Sequence, residues 1–171
     1  MQRRRVPREL LTIGYEGCTI QEVLDELAAA RTGLLIDVRA VPRSRKPGFS
    51  TRQLAAGLDE RGIPYVHLQA LGTPKAGRDA VRAGHPEIMH RIFRAHMTSV
   101  PAQAELAQAA ALAREKLVCL LCFERDPACC HRTIVAEMIA AATGQSVRHI
   151  RAAHDCQAGG GRREQRSAIH D

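Results

Sequence analysis

The sequence predicts a single α/β domain: a mainly parallel sheet of about five strands with helices on both faces. Three observations carry this. Short apolar runs alternate along the chain with segments of helical period, an alternation that builds βαβ units. The runs are apolar at nearly every position, Gly33–Val38 and Leu117–Leu121 above all, as in strands buried on both faces. The chain has 171 residues and 45% hydrophobic residues, enough for one domain with a real core.

The elements follow in order. Residues 10–14 form a first strand, and Thr19–Ala30 a helix with Ile20, Val23, Leu24 and Leu27 on one face. Residues 33–38 form a second strand ending at Asp37, followed by a loop carrying Pro42, Pro47 and Gly48. Ser50 or Thr51 caps a helix reaching about Arg61, where Gly62 ends it. Pro64–Leu68 is a short third strand. Residues 69–100 show only a turn at Gly72-Thr73-Pro74 and a helix over Pro86–Met97. Pro101–Glu115 is an Ala-rich helix and Lys116–Phe123 the fourth strand. Asp126 and Pro127 start a helix that runs to Ala142, with Gly144 as its stop, and residues 146–150 are the last strand. The domain thus spans 10–150, preceded by a basic extension over 1–9 and followed by a polar, Gly-rich tail over 151–171, expected to be disordered.

Charge narrows the partners. The net charge is +7, but four arginines crowd residues 1–9, so global charge says little about the domain. Residues 39–52 hold Arg39, Arg43, Arg45, Lys46 and Arg52 with no acid, a local patch suited to phosphate. DNA, RNA or a phosphorylated small molecule are the partners this suggests. No run approaches the ~20 apolar residues of a membrane span, and no apolar stretch follows the N-terminal arginines as in a signal peptide. With six cysteines read as reduced thiols, a cytoplasmic location is expected. Oligomeric state has no signature.

The polar residues converge on one rim. In parallel sheets ligands bind outside the carboxyl ends of the strands. Tyr15 and Glu16 follow the first strand, Asp37 and Arg39 end the second, His67 ends the third, and Cys122 and Glu124 end the fourth. This predicts one cavity lined by Glu16, Asp37, His67, Glu124 and His131. Glu16, Asp37 and Glu124 are acid/base candidates, because crowded carboxylates titrate apart. Tyr15, Arg39, Arg43, Ser44, His67 and Arg132 are candidates for holding substrate or phosphate. Asp37 and Arg39 could equally form a structural ion pair, and Phe49 either stacks on a base or anchors its loop.

Cys130, with His131 and Arg132, falls in the predicted first turn of the helix after Asp126. There the helix dipole and the two cations favour a thiolate. Cys130 and His131 are therefore further pocket candidates. No metal site or other cofactor is expected. Cys119 and Cys122 have a knuckle-like spacing, but residues three apart in a strand face opposite sides.

Four ordered motifs complete the reading. They are Thr12-Ile-Gly-Tyr-Glu-Gly17, Asp37-Val-Arg39-x-x-Pro42-x-Ser44 with Lys46–Ser50, His67-Leu68 with Leu71-Gly72, and Cys122-x-Glu124 with Cys130-His131-Arg132. Together they resemble the DUF488 family over roughly residues 10–150. The resemblance implies a small α/β fold and a shared pocket, and no reaction. From the residues, the leading expectation is hydrolysis of an N-glycosidic or phosphoester bond in a nucleic acid or nucleotide. The alternatives are a non-catalytic nucleic-acid or nucleotide-binding module and, third, a thiol-based redox or transfer protein.

Overall fold

The computed structural model describes residues 7–153; residues 1–6 of the expected extension and 154–171 of the expected tail lie outside the described residues. Five strands, β1 (Glu9–Gly14), β2 (Leu34–Asp37), β3 (Tyr65–His67), β4 (Val118–Cys122) and β5 (Ser146–His149), form one sheet in the order β3-β2-β4-β1-β5. Every pairing is parallel, with Gly14 opposite Cys122 and Asp37 opposite both Leu121 and His67. The carboxyl ends are therefore level. Six helices complete the fold: α1 (Ile20–Ala29), α2 (Thr51–Asp59), α3 (Lys75–Arg82), α4 (Pro86–His96), α5 (Val100–Glu115) and α6 (His131–Thr143). None is long and apolar enough to cross a membrane.

Strand parity divides the core. Leu11, Ile13, Leu35, Cys119 and Leu121 pack with Val23, Leu24 and Leu27 of α1 and Leu54 and Leu58 of α2. Leu10, Leu34, Ile36, Leu120 and Cys122 face the other layer, with Phe93 of α4, Ala109 of α5 and Ile134 and Val135 of α6. Cys119 and Cys122 are buried on opposite faces, as the strand argument requires. β4 thus sends its helix α6 to the face opposite α1 and α2, which follow its neighbours β1 and β2. A crevice opens at the carboxyl ends where connections diverge in this way.

Local chemistry sets the boundaries. Thr19 and Glu22 cap α1 reciprocally, and Gly144 ends α6 in the left-handed conformation at φ 77°. The expected helix start at Pro127 is corrected. Asp126 caps Ala128 N, but Pro127–Cys129 closes as a 3₁₀ turn, and α6 begins at His131. Cys130 is consequently the extended residue before the helix, not part of its first turn. Helix α3 has no forecast in the sequence, since besides the buried Gly77 it packs only the side chains of Ala80 and Val81 on the core.

Candidate active site

β4 delivers the reactive groups. Past its end, Tyr15 N donates to Cys122 O at 3.2 Å and Glu16 N to Phe123 O at 2.8 Å, so the β1 and β4 ends stay zipped together. Gly14 makes this possible: a Cβ there would overlap the Glu124 carbonyl. That carbonyl also accepts from Arg132 Nη1. The backbone of Glu124 is thereby pinned while its side chain turns toward α6.

There it meets two thiols and an imidazole. Cys130 Sγ lies 3.0 Å and Cys122 Sγ 3.3 Å from the same Glu124 oxygen, Oε2. His131 Nδ1 is 3.6 Å from Cys122 Sγ and 4.0 Å from Cys130 Sγ. His131 Nε2 donates to Val38 O at 2.9 Å, and the edge of Phe93 packs on the ring. Cys122, Cys130 and His131 are buried and Glu124 half-buried. A cavity of about 110 Å³ reaches Cys122, Glu124 and His131 past Tyr15, Arg39 and Arg78.

Burial pushes the Glu124 carboxyl up to about 7, with the Cys130 sulfur beside it acting in the same direction. Burial raises the Cys122 thiol as well, and the neighbouring Cys130 and Glu124 add to the rise. Burial would also raise Cys130, but hydrogen bonds from Cys122 and His131 and the charges of His131 and Arg132 outweigh it and hold this thiol low. Its partner His131 is lifted, the contacts with Cys130 overcoming desolvation. The two groups are thus pushed in opposite directions, the Glu124 carboxyl up and the Cys130 thiol down, across a contact of 3.0 Å.

The expected single cavity divides. Asp37 is fully buried and faces the α1/α2 layer, away from Cys122. Its Oδ1 accepts from Arg39 N and Nε and its Oδ2 from Arg39 Nη2 at 2.6 Å and Tyr65 Oη at 2.7 Å. Arg39 spends its remaining nitrogen, Nη1, on Tyr15 Oη and Phe49 O. Asp37 accepts four hydrogen bonds and has no capacity left for substrate, and Arg39 keeps one of its five side-chain donors, on Nη2. Tyr15 stacks on the buried Phe49 at 4.2 Å, so Phe49 anchors its loop. His67 Nε2 donates to Arg39 O at 2.7 Å, bracing the same pair. Arg132 is buried and binds Thr12 Oγ1 and the carbonyls of Glu124 and Arg125. Ser44 Oγ accepts from Lys46 N, a loop-shaping contact. Arg43 is exposed and makes no hydrogen bond among the described residues.

Glu16 stands apart from Asp37. Its Oε2 accepts from Arg125 N at 2.9 Å, and it lines a larger cleft of about 540 Å³ with Glu124, Phe123, Arg78 and Arg82. Sequence reasoning missed Phe123 and the two arginines. Phe123 is 45% exposed, in a T-shaped contact with Tyr15, and is the first residue past the continuously buried run of β4. Arg78 and Arg82 lie on α3, whose weak periodicity hid them. Arg78 gives Nη1 to Thr73 O and borders both cavities.

No curated protein and no solved structure matches the chain. One family model does, over residues 19–139, well over half of the length and including the Asp37–Arg39 and Cys122–Arg132 segments. The chain therefore belongs to the family described as Domain of unknown function DUF488.

Proposed function

We propose that this protein is an enzyme that hydrolyses an N-glycosidic or phosphoester bond in a nucleic acid or nucleotide, in the cleft between Glu16 and Glu124. The observation that carries the reading is the composition of that cleft. Two carboxylates, two arginines and an exposed aromatic ring meet at the point where β4's connection diverges from its neighbours'. About 540 Å³ is within the range of small-molecule sites. Phe123 supplies a face on which a base can stack, and Arg78 and Arg82 supply donors for phosphate. Glu124 faces the leaving group as acid, and Glu16 activates water through the oxygen not bound to Arg125 N. Asp37, Arg39 and Arg132 take no part beyond holding the rim.

End-labelled single-stranded oligonucleotides test this. The expected product is either an abasic strand that breaks only in alkali or a directly cut strand, which separates the two bond types. Glu124→Gln should lower the rate about 10²–10⁴-fold. An unchanged rate in Glu124→Gln overturns the assignment. A binding-only module is favoured by one observation, the exposed Arg43 and Arg45 on the 41–49 loop. It predicts oligonucleotide binding without any product, and a log-affinity versus log-salt slope that flattens by about one unit per lost phosphate contact when these arginines become Ala.

A further inference from the structure

We infer that Cys122, Cys130 and His131 form a binding site for a zinc ion, with Glu124 beside the ion's fourth position. The three side chains come from two different structural contexts: Cys122 is the last residue of β4, and Cys130 and His131 sit where the 3₁₀ turn hands over to α6. Yet one ligand atom from each, together with a Glu124 oxygen, lies within 4.8 Å of all the others. Zinc held tetrahedrally, with Zn–S of about 2.3 Å and Zn–N of about 2.0 Å, requires neighbouring donors roughly 3.5–3.8 Å apart. The sulfur–nitrogen separations of 3.6 and 4.0 Å need only a few tenths of an ångström of adjustment.

The orientation of the imidazole supports a ligand role. A carbonyl can only accept, so Val38 O fixes the proton on His131 Nε2 and turns the Nδ1 lone pair of the neutral ring toward both sulfurs. A backbone carbonyl is one of the partners that take the non-ligating N–H of a zinc-bound histidine. Soft thiolates with an imidazole select zinc over magnesium or calcium. The charge balances as well: two thiols release their protons to solvent on binding, and two thiolates neutralise the divalent ion in this buried place. Both sulfurs face the same Glu124 oxygen, and the small cavity reaches Cys122, Glu124 and His131. Three protein donors with an open fourth position are the arrangement of catalytic rather than structural zinc. Cys119, on the other face of the sheet, and the half-buried Cys129, whose thiol bonds Asp126, are outside the site.

The inference deepens the hydrolytic reading, since such an ion lowers the pKa of a bound water, but it is tested without any substrate. Reduced, metal-free protein is titrated with Co²⁺ as a spectroscopic stand-in, then with Zn²⁺. The expected result is one equivalent bound, with a near-ultraviolet sulfur-to-cobalt charge-transfer band that Zn²⁺ abolishes. Cys122→Ser and Cys130→Ser should each halve the band and weaken binding about 100-fold or more, beyond the loss seen for second-layer changes. Cys119→Ser and Cys129→Ser should leave it intact. Glu124→Gln should retain the band, which also separates the two claims: metal bound normally with hydrolysis lost keeps both, and no metal with hydrolysis intact removes only this one. Should a cysteine variant fail to fold, the wild-type chain suffices, because a mercurial reagent that caps thiols must release one zinc per chain. Absence of the charge-transfer band, or its persistence at full intensity and affinity in Cys122→Ser, overturns the inference.

Discussion

Two polar clusters stand at the sheet's carboxyl rim, one built on the end of β2 and one on the end of β4, and differ in what they leave unspent. In the first, Asp37 and Arg39 are buried against each other, and Tyr15, Tyr65, Phe49 and His67 take up all but one of the hydrogen bonds that the pair has left to make, a single Arg39 Nη2 hydrogen being over. In the second, Glu124 is half-buried, the side-chain partners of its carboxyl are two sulfurs, which hydrogen-bond weakly, and a cavity reaches it. Both look alike in the sequence: charged residues at strand ends. Saturation, not charge, tells a rivet from a reactive centre. A buried ion pair with all but one of its hydrogen bonds made has little capacity to bind or transfer anything, whereas an incompletely paired acid beside thiols retains it.

Breaking the first cluster should have the largest effect. Asp37→Ala strands the buried Arg39 guanidinium, and the loss is expected to be about 3–5 kcal/mol, read as a lower urea midpoint at unchanged slope. A loss under about 1 kcal/mol, the scale of an exposed pair, would mean that water already reaches the pair. Gly14→Ala comes next. Its methyl group would overlap the Glu124 carbonyl and press on Arg132, an overpacking cost of about 1–3 kcal/mol, and it should disturb the second cluster rather than the first. Chemical shifts of His131 should therefore move while those of Tyr65 stay.

The smallest effect is one of pH. His149 is held below its ordinary pKa, first by burial and then by the charges of Arg132 and Arg151, with Glu137 and Cys130 opposing. Thr12 lies between the two: its hydroxyl accepts from Arg132 Nε and is 2.6 Å from His149 Nδ1. Below about pH 6.5 the unfolded chain takes up a proton that the folded chain still refuses. Stability from this residue is therefore complete above that pH and lost as pH falls toward the lowered folded value. The urea midpoint of His149→Asn should lose that part of the wild-type decline between about pH 7 and about pH 5. Equal declines in both proteins would remove His149 from the account.

Much of this was legible beforehand. The apolar runs placed the three central strands β1, β2 and β4, because a parallel strand covered on both faces must be apolar at nearly every position; the edge strands β3 and β5 were placed by the turn and stop residues beside them. Parity in β4 correctly separated Cys119 from Cys122. What could not be read is which groups spend their hydrogen bonds on one another. Asp37-Val-Arg39 admits an ion pair and an open anion site equally; only Tyr15, Tyr65 and the Phe49 carbonyl, brought in from three other segments, decide between them. The thiol cluster was hidden by a single local step. Placing Cys130 inside the helix separates it from Cys122, whereas the 3₁₀ turn at Pro127–Cys129 swings it back over the end of β4.

The measurement closest to the central claim is the urea unfolding of Glu124→Gln beside Asp37→Ala, in reduced, metal-free protein. If Glu124 belongs to an unsaturated, reactive cluster, its amide replacement should unfold within about 1 kcal/mol of wild type, the worth of an ordinary hydrogen bond, while Asp37→Ala loses several times as much. If Glu124→Gln instead proves as destabilising as Asp37→Ala, both clusters are structural rivets, and the distinction on which the active-site assignment rests is gone.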